Sequence, residues 1–262
     1  VSGVPKALIL RTGGVNCDVE TEFAFRLAGA DAERVHVNEF LRKRRSLDEF
    51  HILALPGGFS YGDDIAAGKL LANELAYLLR EPLERLVVDG KLVIGICNGF
   101  QALVRTGLLP GFQPLGTQEA TLASNDSGRF ECRWIRLRTE ESPCVWTRGV
   151  ERVIELPVAH GEGKFLATDD ALARIERNGQ VVFRYVNANG EPDGYPANPN
   201  GSLLAIAGVC NPTGTVLGMM PHPERFVRRT QHPRWTRENL PTEGHGFALF
   251  RNAVEYARSR LV

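Results

Sequence analysis

The sequence has little of what marks several function classes. Its five cysteines are an odd number, widely spaced and without a C-x-x-C pair, which argues against both a zinc cage and a disulfide framework. Reduced thiols and a cytoplasmic setting fit that usage best. Charge of one sign is not in excess, since 31 lysines and arginines face 31 aspartates and glutamates. Without a net field the chain has no long-range attraction for nucleic acid or an acidic membrane. Long apolar runs are missing too. Near the N-terminus only Ala7 to Leu10 is apolar, too short for a signal peptide or a membrane span. No internal repeat and no domain-separating linker is visible. The expectation is a single domain over 1–262 with a full core.

What is present is organised around Lys91 to Gln101, KLVIGICNGFQ. Leu92, Val93, Ile94 and Ile96 read as a buried strand. Phe100, Leu103, Val104 and Leu108 then recur at spacings of three and four, the stripe of an amphipathic helix. Between them stands Cys97, with Gly95 and Gly99 two residues to either side. The Gly-x-Ser-x-Gly elbow has this layout, because a strand-to-helix turn that sharp leaves no room for flanking side chains. A cysteine there sits at a helix N-terminus, where free N–H groups favour thiolate. Free cysteine is also among the most buried residue types. The elbow alone leaves nucleophile and inert core cysteine both open.

The chain before the elbow alternates strand and helix. Lys6 to Arg11, Arg34 to Val37 and Ile52 to Leu55 read as strands. Asn16 or Asp18 can cap a helix whose Val19, Phe23, Leu27 and Ala30 share one face. Leu71, Leu75, Leu78 and Leu79 mark another helix, and the run Arg42 to Arg45 reads as a solvated loop. Beyond Leu109 short strands follow one another: Phe130 to Leu137, Val153 to Val158, Val181 to Val186, Leu204 to Val209 and Val216 to Met220. Residues 187–202 and 227–246 are loop by composition. Phe247, Phe250, Val254, Ala257 and Leu261 define a closing helix. The fold class expected is α/β, an open, mostly parallel sheet with helices on both faces and a mixed or antiparallel extension. Ligands of such sheets sit at the carboxyl ends of the strands, where both Pro56-Gly57-Gly58 and Cys97 fall.

A cysteine nucleophile needs a base, and the base needs an orienting group. Met220-Pro221-His222-Pro223-Glu224 follows a strand, and its two prolines hold it extended. His222 and Glu224 can then point the same way, carboxylate to one ring nitrogen and the other nitrogen toward Cys97. Acyl chemistry also needs donors for an oxyanion. The Asn98 N–H, next after the nucleophile, is one, and the Gly57-Gly58 turn is placed to supply another. GGFSYGDD (57–64) lacks the Lys-Ser/Thr of a P-loop and is a weak phosphate cradle. His160 is a competing base with no flanking device to direct it. Cys17, Cys132, Cys144 and Cys210 have no elbow and read as structural or incidental.

With these residues together, the chain resembles the class I (Cys-His-Glu triad) glutamine amidotransferases, more narrowly the glutaminase subunits of phosphoribosylformylglycinamidine synthase. The motifs are GVNCDVE (14–20), LPGGFSYGDD (55–64), GICNGFQ (95–101), SGRFECRW (127–134), PVAHGEG (157–163) and AIAGVCNPTGTVLGMMPHPER (205–225). The resemblance implies a flavodoxin-like sheet, Cys97 as nucleophile on glutamine, and His222 oriented by Glu224 as proton relay. It implies the Gly58 and Asn98 amides as oxyanion donors, with Gln101 and the Gly161 turn as glutamine-binding positions and no metal in this chain. Ammonia would pass to a large partner synthase subunit that uses ATP and magnesium, with SGRFECRW on the partner-facing surface. An additional small accessory subunit is left open. RTGG at 11–14 and the lengthened segments at 228–246 and near Tyr195 depart from the compact members. Two other readings compete: a glutaminase for a different acceptor or a stand-alone γ-glutamyl hydrolase, and a non-catalytic module that kept the fold.

Overall fold

The structure is a computed structural model and describes residues 3–262. The first half runs β1 (Lys6–Arg11), α1 (Asp18–Leu27), β2 (Asp31–His36), α2 (Val37–Leu41), β3 (Ile52–Leu55), α3 (Lys69–Asn73), α4 (Arg80–Val88), β4 (Leu92–Ile96) and α5 (Asn98–Thr106). The second half runs β5 (Ala120–Ala123), β6 (Glu131–Thr139), β7 (Val153–His160), β8 (Lys164–Ala167), α6 (Asp169–Arg177), β9 (Val181–Val186), β10 (Ile206–Cys210), β11 (Val216–Met219) and α7 (Phe247–Arg260).

One sheet takes the order β2-β1-β3-β4-β11-β10-β9-β6-β7. Pairing is parallel from β2 through β11 and antiparallel from β11 through β7. This is the α/β sheet with an antiparallel extension that the sequence predicts. The crossover from β1 to β2 moves one way along the sheet, and that from β3 to β4 the other. Right-handed crossovers therefore put α1 and the α3–α4 segment on opposite faces. Every residue of β3 and β4 is buried, which is why these strands are continuous apolar runs rather than alternating ones. On the α1 side the core is aromatic: Phe25 meets Phe250 edge-on at 4.9 Å and Trp146 at 6.5 Å. β5 and β8 form a separate two-stranded sheet.

Several local expectations are corrected. The stripe Val19, Phe23, Leu27 of α1 faces solvent, whereas Asp18, Thr21, Ala24 and Phe25 face the sheet. Asp18 can be buried because Arg11 and Arg34 reach it at 2.8 and 3.2 Å. Neither Asn16 nor Asp18 caps this helix; the N-cap is Cys17, with no side-chain cap bond. The helix marked by Leu71, Leu75, Leu78 and Leu79 is interrupted by a π-turn at Glu74–Leu78, which turns Leu78 outward. β10 starts at Ile206 because Leu203–Ala205 forms a 3₁₀ turn. Phe130 lies outside β6 and is exposed. Neither α6 nor the β5–β8 pair figures in the sequence reading. No helix among the described residues is long and apolar enough to cross a membrane.

The seat of α5 on β3 depends on Gly99, where an added Cβ would run into the Leu55 carbonyl and come within 2.8 Å of its Cβ. Gly99→Ala should therefore destabilise the fold by about 1–3 kcal/mol through overpacking, read as a lower urea midpoint. An unchanged midpoint would mean the helix does not lie this close to the strand.

Candidate active site

β4 ends at Ile96, and the next residue leaves the allowed region: Cys97 has φ 51° and ψ −105°. A non-glycine residue held there costs about 1–3 kcal/mol and marks functional sites. The surrounding structure enforces it. The Cys97 N–H donates to the Met219 carbonyl at 2.8 Å, and the Cys97 carbonyl accepts from Gln101 at 3.0 Å to start α5. The side chain is 5% exposed and its thiol turns to the Ala159 carbonyl of β7 at 3.6 Å.

Parallel pairing of β11 with β4 sets Met219 opposite Ile96, so the chain beyond β11 emerges beside Cys97. His222 is then tied down by its N–H to the Pro157 carbonyl at 2.9 Å. Its Nδ1 lies 2.6 Å from Glu224 Oε1, as the proline-flanked spacing predicts. Both side chains are buried, Glu224 completely. Burial pulls the imidazole toward neutrality, but the Glu224 carboxylate, with Cys97 beside it, outweighs that and holds its pKa well above the ordinary 6.5. His222 Nε2 and Glu224 Oε2 have no hydrogen-bond partner. The ring thus keeps Nε2 without a partner. Gly57 makes this meeting possible: a Cβ there would stand 2.7 Å from His222 Cε1, 3.2 Å from Cys17 Sγ and 3.4 Å from Cys97 Cβ.

The turn carrying Gly58 is fixed by an antiparallel bridge to Val15, with Phe59 N–H on the Gly14 carbonyl at 2.9 Å and Asn16 N–H on the Gly57 carbonyl at 3.3 Å. Among the described residues neither the Gly58 nor the Asn98 backbone N–H has an acceptor. The Asn98 side chain locks the loop beyond, accepting from Ser60 N–H at 3.0 Å and donating to Asp63 at 3.0 Å and to Gln101 Oε1 at 2.9 Å. Gln101 in turn donates to the Glu162 carbonyl, so α5 is joined to the Gly161–Gly163 turn. Gly161 itself faces open space, with Phe130 its nearest neighbour at 3.8 Å from an added Cβ.

The competing base is otherwise engaged. His160 Nδ1 meets Asn125 Oδ1 at 3.1 Å and its Nε2 meets Asn200 at 3.5 Å, so a directing device exists that the sequence does not reveal. Burial, and after it the neighbouring His222 charge, push His160 down to about 4. Cys144 and Cys210 are buried and Cys132 is exposed. Cys17, read from the sequence as structural or incidental, has polar partners: its sulfur lies 3.9 Å from His222 Nδ1 and accepts from Arg225 Nη2 at 3.0 Å. Its place in the quoted motif GVNCDVE was the available signal. Cys17, His222 and Glu224 are also compact enough to suit a metal ion. A divalent cation there would have to displace the His–Glu proton beside a guanidinium, and the chemistry of the set is that of a hydrogen-bonded network.

An elbow cysteine with a buried His–Glu pair, on an open α/β sheet, is the arrangement of a class I glutamine amidotransferase. The sequence bears this out: a CobB/CobQ-like glutamine amidotransferase domain matches residues 4–257, and the chain belongs to that family. Within it the chain is of the PurQ type. It is 52% identical to the phosphoribosylformylglycinamidine synthase subunit PurQ of Dehalococcoides mccartyi over 97% of this chain and 98% of that one. The PurQ subunit of Archaeoglobus fulgidus is 44% identical over 96% of each chain. A chain in the structure of PurLQS from Thermotoga maritima superposes with a TM-score of 0.74 at 32% identity, covering 97% of this chain and 99% of that one.

The raised pKa of His222 gives a direct test. In Glu224→Gln the carboxylate that opposes burial is gone, so the imidazole should lose its proton at a clearly lower pH. NMR titration of the His222 Cε1–H resonance reads this. A midpoint that stays where it was would remove Glu224 as the source of the shift.

Proposed function

We propose that this chain is the glutaminase subunit of a phosphoribosylformylglycinamidine synthase, hydrolysing glutamine and handing the ammonia to a synthase subunit. The observation that carries the reading is the strained Cys97 at the end of β4, set beside a His222 whose Nε2 is buried and free. In the reaction the Cys97 proton is held by His222, whose pKa Glu224 keeps high, and the sulfur attacks the side-chain amide carbon of glutamine. The oxyanion settles between the Gly58 and Asn98 N–H groups, both without other acceptors. The imidazolium, steadied by Glu224, protonates the departing nitrogen. Ammonia leaves and a γ-glutamyl thioester remains. His222 next takes a proton from water, whose oxygen attacks the thioester carbonyl; glutamate departs and Cys97 recovers its proton. Gln101 and the Gly161 turn, joined through Glu162, form the wall that receives the amino-acid end of glutamine.

The names borne by the relatives support the rest of the reading. In this reading the partner is a large synthase subunit that uses ATP and magnesium to aminate formylglycinamide ribonucleotide in the cytoplasm, and a small accessory subunit is left open. Phe59 and Phe130, exposed with ring centroids 6.3 Å apart, place SGRFECRW beside the oxyanion loop, where a partner can cover both. In the assembled complex Cys97→Ser should lose glutamine-dependent synthesis by about 10³-fold or more yet keep synthesis from ammonium salts. Glutamate release and ammonium-supported product formation, measured side by side, decide it. Undiminished glutamine use by the variant would overturn the reading. Full activity of the chain alone, with no partner, would make it a free-standing hydrolase instead.

A further inference from the structure

One polar cluster is not used by the chemistry above. Cys17, at the N-cap of α1, is fully buried. Burial pushes its thiol pKa up, against the opposing contact with His222, so it is a neutral S–H at the pH of catalysis. Its proton points to Asn16 Oδ1 at 3.2 Å and its sulfur accepts from Arg225 Nη2 at 3.0 Å. Arg225 directly follows Glu224 in sequence, yet its Nε lies 4.0 Å from Glu224 Oε1 and 3.7 Å from Glu20 Oε1. Glu224 Oε2 meanwhile is buried and has no partner at all. A guanidinium 4.0 Å from a carboxylate that has an unpaired oxygen ordinarily closes on that carboxylate, because charge-assisted pairs are the strong ones. Here the nearest acceptor is sulfur, a weak one.

We propose that Cys17 is a positioning residue, an inference that rests on the function proposed above: its sulfur engages the Arg225 guanidinium and so reserves the Glu224 carboxylate for His222. A carboxylate shared with arginine would hold the imidazolium less firmly, and the ring would give up its proton at lower pH. The groups that face His222 are Glu224 on its own turn, Cys97 on the elbow, Cys17 at the start of α1, Arg225 with Glu20 of α1 behind it, and His160 at the end of β7. Of these Arg225 alone is a permanent cation, so it is the one whose placement must be controlled. The same sulfur stands against Gly57 and the Nδ1 side of the His222 ring, which joins the oxyanion turn to the base.

The test uses the chain assembled with its synthase partner and follows glutamate release against pH. In Cys17→Ala the alkaline limb of kcat/KM, set by loss of the imidazolium proton, should move down by about one unit, with kcat at that limb falling about tenfold. KM for glutamine should stay within about twofold, since Cys17 does not line the substrate wall. Cys17→Ser keeps an acceptor for Arg225 and should retain the wild-type limb. Replacing Arg225 by glutamine in the Cys17→Ala background should return the limb to its original position, which repair of a mere cavity would not do. Cys17→Val keeps the volume without the acceptor and reads the same way if the alanine variant does not fold. An unmoved limb in Cys17→Ala or Cys17→Val, or a shift that persists when Arg225→Gln is added, overturns the inference. Failure of the wild-type complex to release glutamate would instead overturn the proposed function.

Discussion

The site depends on one strand pairing, that of β11 with β4. The two segments are more than a hundred residues apart in sequence, and the intervening chain builds most of the antiparallel half before returning. The parallel register sets Met219 beside Ile96, and the Met219 carbonyl takes the Cys97 N–H. A slip of one residue would turn every β11 side chain to the other face and carry the His222 turn away from the thiol. Because all of β4 and β11 is buried, such a slip would expose apolar side chains and strand ladder groups, which fixes the register firmly. The antiparallel half contributes directly as well. β7 holds His222 through the Pro157 carbonyl and offers the Ala159 carbonyl to the Cys97 thiol.

Around this frame the molecule keeps several features that oppose its own stability. Cys97 sits at a positive φ without being glycine. His222 Nε2 and Glu224 Oε2 are buried without partners, and a buried unsatisfied polar atom costs about 1–3 kcal/mol. A buried ion pair is in general a poor source of stability, since desolvation of both partners offsets their attraction. Here the pair is completely enclosed, and its attraction is spent on keeping the imidazole protonated rather than on holding the fold. These unfavourable features meet at the carboxyl ends of β4 and β11, beside a large continuous apolar cluster. That concentration is the physical signature of a site built for a charged intermediate.

Much of this was legible in the sequence, and for definite reasons. The elbow shows itself because Gly99 is needed where α5 packs on β3 and Gly95 where the same helix lies over β4, and the His–Glu pair because prolines force the spacing. The inward face of α1 was not legible. Its inner residues include Asp18, whose burial depends on arginines from β1 and β2, and a count of apolar residues cannot register pairing across elements. The π-turn at Glu74–Leu78 adds one residue to a helical repeat and leaves no mark in the spacing of leucines. Helix α6 was passed over because only Ala171 and Ile175 of it are buried. Cys17 was dismissed for want of a local motif of its own. Its significance comes from Arg225 and His222, both about two hundred residues away.

Segment 228–246 shows how a long loop can sit next to the His222–Glu224 pair without disturbing it. Its two ends meet: Arg228 bridges to Glu243, and Gly244 and Gly246 donate to the carbonyls of Val227 and Phe226. The loop is therefore closed at its base, two residues beyond Glu224. Two of its four arginines are engaged within the chain, Arg228 over the Phe23 ring at 4.6 Å and Arg234 on Glu155 and Glu238. His232 and His245 pack on Phe226, with Trp134 against His232 at 4.5 Å. Because closure entropy grows only slowly with loop length, such a loop can lengthen while the turn at its base stays put. The His222–Glu224 turn is set by β11 and β7 on one side and by this closed base on the other, so the loop can change length while the His222–Glu224 geometry stays untouched.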